Sequence, residues 1–223
     1  MDRRGIAVPG RFRRQSGEPW KSLPIHFVML VEQRNAVEFV ENDEDDRNRI
    51  LGEGGTIQQF FTRLLDLLSQ SEAAGFDSAW INEHHFHAFG GMMPCPAVAL
   101  AAIAARTTRI RLGTSIAITP LHNPIETAEI YAMLDQVSGG RLEFGVGSGY
   151  LKHDYDVLGV SWAEGHERLF ESLQVVVQAW QHQPFSFHGK YYNYDDVSVW
   201  RVVDLADALA FAAQSCPART RPL

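Results

Sequence analysis

The feature that most constrains the fold is a repeated order of apolar run, loop and helical pattern, which begins near Pro24. The apolar runs have strand length, and the segments between them place apolar residues at helical spacing. The predicted strands are 25–31, 76–82, 109–118 and 141–146, and the predicted helices are 56–75, 97–106, 125–137 and 168–180. Four strand–helix units in succession predict an α/β fold with a parallel sheet and right-handed crossovers.

Two architectures have this repeat, the open doubly wound sheet and the closed (β/α)8 barrel. A barrel typically needs about 250 residues and eight strands. The 223-residue chain offers four clear units and a short hairpin predicted over 185–194. The repeat alone therefore leaves both architectures open.

Composition narrows the class of protein. Apolar residues make up 45% of the chain and charged residues 21%, which is typical of a globular protein with a sizeable core. The net charge of −7 disfavours nucleic-acid binding. The long run without charged residues at 86–105 is interrupted by glycines and prolines, so we expect no membrane span. Two widely separated cysteines, Cys95 and Cys216, favour the reducing cytoplasm. We expect a cytoplasmic protein that acts on a small molecule.

A histidine-rich segment follows the second predicted strand, with the sequence Glu83-His84-His85-Phe86-His87. Ligands bind at the carboxyl ends of parallel strands, so its position favours a functional role. Histidines beside a carboxylate that can fix their tautomer suit acid–base chemistry. The alternative is a set of hydrogen-bonded loop histidines.

The same segment permits a metal hypothesis. His85 and His87 have a spacing that could direct two imidazoles to one ion, and His122 and His153 follow the next two strands, as in metal-dependent barrel hydrolases. However, no carboxylate from a final strand can be assigned, and the H-E-x-x-H motif is absent from the sequence. We therefore expect no metal site and keep the hydrolase as an alternative.

A glycine-rich segment, 145–149, follows the fourth predicted strand. Glycines at such a position let the backbone approach a phosphate. The dinucleotide fingerprint requires a helix immediately afterwards, whereas Tyr150 follows here and the next predicted helix starts near Ala163. A Rossmann NAD site is disfavoured, and a simple turn that closes the strand is the alternative.

Several motifs together indicate a protein family more specifically than any one motif does. Segments 80–86, 104–114, 120–124, 134–142 and 145–150 resemble the luciferase-like flavin monooxygenases, in the order and spacing of that family and over about four fifths of the chain. The Glu-His-His-Phe form of 83–86 is more similar to the bacterial luciferase, FMN-dependent branch than to the deazaflavin-dependent reductases.

The resemblance implies a TIM-type (β/α)8 barrel, of which about the first four to five βα units are present. It also implies reduced FMN (FMNH2) at the carboxyl edge of the strands, O2 as co-substrate and a separate flavin reductase that supplies FMNH2. The expected reaction is oxygenation of a small organic substrate such as an aldehyde. A homodimer or heterodimer is expected.

The resemblance also implies roles for individual residues. His84 matches the catalytic histidine beside the flavin, with His85 and Glu83 in support. Ser115 and Ile116 match a non-prolyl cis peptide that lies against the flavin ring, so we predict a cis bond there.

The phosphate side of the flavin matches a loop and one arginine. The residues are Gly147, Ser148, Gly149, Tyr150 and Arg168. Ser148 departs from luciferase, which has an arginine at that place, but a hydroxyl and backbone N–H groups can still bind an anion.

Three segments of the chain differ in character. Residues 1–22 form a basic arm, which we expect to be mobile, 23–200 the N-terminal part of a luciferase-like barrel domain, and 201–223 an atypical tail whose residues 204–213 have the pattern of an amphipathic helix. The tail does not resemble the second half of a barrel. We therefore interpret the chain as a truncated or frameshifted product, and a non-catalytic remnant or partner subunit is the alternative to an active enzyme.

Overall fold

Three parallel strands form the sheet that organises the described part of the chain. The computed structural model describes residues 55–86 and 93–200. The strands β1 (Ser78–Ile81), β2 (Arg111–Thr114) and β3 (Leu142–Glu143) lie side by side in that order. The predicted parallel pairing is confirmed for these three strands. The predicted strand 25–31, the arm 1–22 and the tail 201–223 lie outside the described residues.

Helices follow each strand, as the repeat predicts, and a hairpin ends the described chain. The helices are α1 (Ile57–Ala73), α2 (Pro96–Ala104), α3 (Pro124–Ser138), α4 (Lys152–Leu158) and α5 (Gly165–Gln181), and the hairpin strands are β4 (Phe185–His188) and β5 (Asn193–Val197). Short 3-10 turns occupy Thr119–Leu121 and Trp162–Glu164. Helix α4 was not predicted. Strands β2 and β3 are shorter than the apolar runs that predicted them, because ladder pairing ends before the apolar residues do.

Capping residues explain where two of the helices begin. The Thr56 hydroxyl accepts the N–H of Gln59 at 3.2 Å, and the Gln59 side chain accepts the N–H of Thr56 at 3.0 Å, which completes a capping box. Asn123 accepts the N–H of Ile125 at 2.9 Å ahead of α3. Each cap satisfies a donor that a helix terminus would leave without a partner.

The core lies between the sheet and the helices that cover it. All four residues of β1 are buried, which is typical of a parallel strand covered on both faces. Large side chains of the strands and helices fill the space: Leu100, Ile103, Ile110, Leu112, Leu142, Phe144, Val175 and Val176. Gly113 is required by packing, because a Cβ there would lie 2.3 Å from the Trp80 ring.

Hydrogen bonds also join the segments just beyond the strands. The Ser115 N–H donates to the Ile81 carbonyl at 2.7 Å, and the Ala117 N–H donates to the Gly145 carbonyl at 2.9 Å. Ala117 also forms a parallel bridge with Val146. The loops after β1, β2 and β3 are therefore held together at one edge of the sheet. This is the arrangement of a partial TIM-type barrel.

None of the helices in 55–86 and 93–200 combines the length and the apolar character that crossing a membrane requires.

Candidate active site

A buried polar segment follows β1 at the carboxyl edge of the sheet. Glu83, His84 and His85 are only 4%, 8% and 8% exposed. The His84 N–H donates to the Met93 carbonyl at 2.9 Å, so the backbone of this segment is fixed. The structure therefore brings together the three residues predicted to be catalytic and removes them largely from solvent.

Glu83 is the centre of this group. Its Oε1 lies 2.8 Å from His85 Nε2 and 2.5 Å from His122 Nε2, and its Oε2 accepts the Ile118 N–H at 3.0 Å. Because a carboxylate can only accept, both Nε2 atoms carry the hydrogen. A buried carboxylate with these partners has a fixed position and in turn fixes the orientation of both imidazoles.

Electrostatics favour an ionised Glu83. Burial raises the pKa of its carboxyl, but the hydrogen bonds from His122, His85 and the Ile118 N–H outweigh burial and lower the pKa to about 2. For His122, burial lowers the pKa, but the bond to Glu83 and the charges of Glu83 and Glu126 outweigh it, so the pKa is raised. The pair is therefore an anion beside an imidazole that favours its protonated form.

His84 connects the segment after β1 to the loop after β3. Its ring lies 5.9 Å from the Tyr150 ring, centroid to centroid, at 76° in an edge-to-face contact. Tyr150 belongs to the loop after β3 that is predicted to hold the phosphate. The segment predicted to be catalytic and the segment predicted to bind the phosphate therefore share one edge of the sheet.

The peptide bond between Ser115 and Ile116 is cis, as predicted. These residues directly follow β2, which is the middle strand of the three. They therefore lie between the segment with Glu83 and the loop with Tyr150. Their contact with a flavin ring stays a prediction.

Some backbone groups of the loop at 147–150 already form hydrogen bonds within the protein. The Gly147 N–H donates to the Ala117 carbonyl at 3.1 Å, and the Ser148 carbonyl accepts the Tyr155 hydroxyl at 2.5 Å. Gly149 has a φ of +69°, which favours glycine. An anion at this loop would therefore depend on the backbone N–H groups after Gly147 and on the Ser148 hydroxyl.

Arg168 lies on α5 and contacts residues other than the predicted loop. Its guanidinium bonds the Glu164 carboxylate at 3.0 Å and lies 4.3 Å from the centroid of the Tyr191 ring. These contacts connect α5 to the hairpin. Arg168 as a phosphate ligand stays a prediction, and it would have to exchange Glu164 for the phosphate.

Sequence reasoning missed the place of His122 in this group. His122 was considered only as a metal ligand for the hydrolase alternative, and its loop was otherwise interpreted as a turn. The structure pairs it with Glu83 and places both beside a cavity of about 60 Å³, which Cys95, Glu126 and Tyr131 also line. The signal that could have found it is its position after β2, which is the neighbour of the strand that precedes Glu83.

Parallel strand–helix units with ionisable residues at the carboxyl ends of the strands have the arrangement in which α/β barrels place their active sites. Residues 46–219 match the sequence profile of the luciferase-like monooxygenases. The chain belongs to the luciferase-like monooxygenase family.

Individual relatives agree with this assignment. The chain is 35% identical over 158 residues to an F420-dependent glucose-6-phosphate dehydrogenase of Kineococcus radiotolerans, a match that covers 67% of this chain and 46% of that protein. It is 36% identical over 110 residues to the alkanal monooxygenase alpha chain of the Kryptophanaron alfredi symbiont, which covers 49% of this chain and 30% of the relative. The solved structure of monooxygenase RslO1 from Streptomyces bottropensis superposes with a TM-score of 0.66 at 29% identity, over 71% of this chain and 47% of that one. The chain spans less than half the length of these relatives.

Proposed function

We propose that this protein carries the proton-handling half of an FMN-dependent monooxygenase site, which uses reduced flavin and O2 to oxygenate a small organic substrate such as an aldehyde. The observation that supports this function is the buried group of Glu83, His84 and His85 at the carboxyl edge of the sheet, in a chain of the luciferase-like family. Burial suits the reaction because water must be kept from a reactive oxygen species.

The described residues fit a flavin in two respects. The segments predicted to touch its ring, at Ser115 and Ile116, and its phosphate, at 147–150, follow adjacent strands and lie at the same edge. Glycines in the second segment leave room for close approach of an anion to the backbone. Bound FMNH2 would supply the electrons that activate O2.

The protein's own residues would hold and move protons. The Ile118 N–H holds the Glu83 carboxylate in place, and Glu83 in turn accepts the hydrogen on Nε2 of His85. In the neutral His85 ring, Nδ1 is therefore the acceptor. His84, whose ring contacts the Tyr150 ring, would exchange a proton with the reacting substrate. In this arrangement Glu83 is a positioning residue and His84 the catalytic residue.

The test is anaerobic titration of the 223-residue chain with FMNH2, followed by addition of O2 and an aldehyde series. Saturable binding with oxygenated product would support the proposal. Binding without product, with any substrate class, would favour the non-catalytic remnant. Absence of flavin binding would contradict the proposed function.

A second candidate is hydride transfer with the deazaflavin F420. The F420-dependent relative favours this candidate, because its alignment with the chain covers 158 residues, whereas the alignment with the alkanal monooxygenase alpha chain covers 110. Competition of FMNH2 with reduced F420 for the same protein separates the two functions. Preferred binding of reduced F420, with substrate reduction and no O2 consumption, would replace the monooxygenase by an F420-dependent reductase.

We further propose that a separate cytoplasmic flavin reductase supplies FMNH2 and that the protein works as a homodimer or heterodimer. Support for assembly comes from α3, where Ile130, Met133 and Val137 are exposed at a spacing that places them on one helix face. Sedimentation velocity tests the proposed dimer. The dimer would be contradicted if the wild type is a monomer at micromolar concentration and Met133→Glu behaves in the same way.

A further inference from the structure

Three potential metal ligands converge on one point next to the cavity. Glu83 Oε1, His85 Nε2 and His122 Nε2 all lie within 4.8 Å of one another. They come from two different strand ends, and Glu83 and His85 are buried. We propose that Glu83, His85 and His122 form a binding site for a divalent transition-metal ion of the zinc type.

The donor set suits such an ion. Two imidazole nitrogens and one carboxylate oxygen are ligands that Zn²⁺ binds at about 2.0–2.2 Å, in sites that keep a fourth position open. Each of the three ligands comes from a different side chain, and all three donor atoms already point to the same region. Within residues 55–86 and 93–200, no other three His, Cys, Asp or Glu side chains bring their ligand atoms this close together.

The distances permit an ion after a small movement. Tetrahedral ligands around zinc lie about 3.4 Å apart, whereas the carboxylate oxygen now lies 2.8 Å from His85 and 2.5 Å from His122. Each imidazole would have to withdraw from Oε1 by less than about 1 Å. The His122 side chain is 38% exposed, and the Ile118 N–H keeps Oε2 of Glu83 in place.

The cavity supplies the fourth position. Its volume of about 60 Å³ is bounded by Glu83 and His122, and one water occupies about 30 Å³ of liquid. A water or small ligand can therefore complete the coordination without displacing a core side chain. The ion would reach the site through this cavity, past the exposed Cys95.

Metal binding would have a consequence for the proposed function. The ion would bind the Glu83 oxygen and both Nε2 atoms. Each Nε2 would give up its hydrogen, by a shift to the Nδ1–H tautomer or by release of a proton to solvent, and the hydrogen bond that orients His85 would be lost. Zn²⁺ would therefore inhibit a reaction that needs this orientation. The metal site itself does not rest on the proposed function, because binding can be measured without flavin or substrate.

The test is isothermal titration of the full chain with Zn²⁺, in parallel with Co²⁺ absorption, in the absence of flavin. We expect one equivalent bound with a Kd of about 10 µM or tighter, and a Co²⁺ spectrum of a tetrahedral site. His122→Ala and His85→Ala should each weaken binding by at least about tenfold. His84→Ala is the matched control, because it removes the adjacent imidazole that is outside the ligand set.

Two results would overturn the metal site. One is the absence of Zn²⁺ binding at 100-fold the expected Kd. The other is binding that His122→Ala and His84→Ala weaken equally or leave unchanged, which would place the ion elsewhere in the chain. His122→Ala is the decisive variant because His122 lies in a partly exposed loop, and circular dichroism confirms that the variant folds. Failure of flavin binding with Zn²⁺ binding intact would contradict only the proposed function.

Discussion

The Glu83 carboxylate lies 2.5 Å from Nε2 of His122, although 39 positions of sequence separate the two residues. They meet because β1 and β2 are neighbours, and each residue follows the end of its strand. Glu83 is buried, whereas the His122 side chain is 38% exposed. The contact therefore connects a buried anion to the surface of the protein.

Removal of His122 should destabilise the fold. In His122→Ala the Glu83 carboxylate stays buried but loses its shortest hydrogen bond, and we expect the free energy of unfolding to fall by about 1 to 2 kcal/mol. Urea denaturation followed by tryptophan fluorescence measures this change. His153→Ala, at an exposed position on α4, is the control and should change stability by less than about 0.5 kcal/mol. Equal losses in the two variants would show that the Glu83–His122 contact contributes little.

The sequence predicts local features of this fold well and non-local contacts poorly. The predicted helix start at Thr56 is correct, because a cap acts within a few residues. The apolar run 109–118 does not reveal that β2 ends at Thr114, because ladder pairing depends on neighbouring strands that periodicity cannot place.

In the candidate site, too, the sequence predicts local features better than non-local contacts. The motif at 83–87 identifies Glu83 as a candidate, since carboxyl ends of parallel strands bind ligands. Its pairing with His122 depends on which strands are adjacent, which the local sequence does not contain. Arg168 as a phosphate ligand stays a prediction from sequence similarity, and its contact with Glu164 in the structure was not part of that prediction.

Gly113 is required by the Trp80 ring. Gly113→Ala would place a Cβ 2.3 Å from ring atoms of Trp80, and we expect overpacking to cost about 1 to 3 kcal/mol. The cost should be smaller in a Trp80→Val background, where the ring is absent. A double-mutant cycle by urea denaturation measures the coupling. Additive effects of the two substitutions would contradict the steric explanation.

Glu72 should make stability depend on pH below 4.5. Its carboxylate accepts the N–H groups of Ile110, Arg109 and Thr108, and the bond from Ile110 is the largest contribution that lowers its pKa from the ordinary 4.5 to about 2. Because the folded pKa lies below the unfolded one, the stabilisation is present above about pH 4.5 and is lost as the pH falls toward 2. Glu72→Gln should therefore be less stable than the wild type at pH 6, and this difference should shrink by pH 3.

The measurement for Glu72 is the free energy of unfolding of both proteins between pH 6 and pH 3. Other carboxylates titrate in the same range, so the difference between the two proteins isolates Glu72. Glu129→Gln, at an exposed position on α3, is the matched control. A Glu72→Gln difference that is constant with pH would show that the backbone hydrogen bonds do not depend on the charge.

His84 should control chemistry more than cofactor binding. His84→Ala removes the imidazole that contacts Tyr150, and we expect formation of oxygenated product to fall by about 100-fold or more, as loss of a general acid or base does. Flavin affinity should change by less than about threefold, because the predicted phosphate contacts at 147–150 stay intact. Rapid-mixing product analysis and anaerobic titration give the two quantities separately. His153→Ala should leave both unchanged, and parallel loss of binding and product in His84→Ala would assign His84 to cofactor binding.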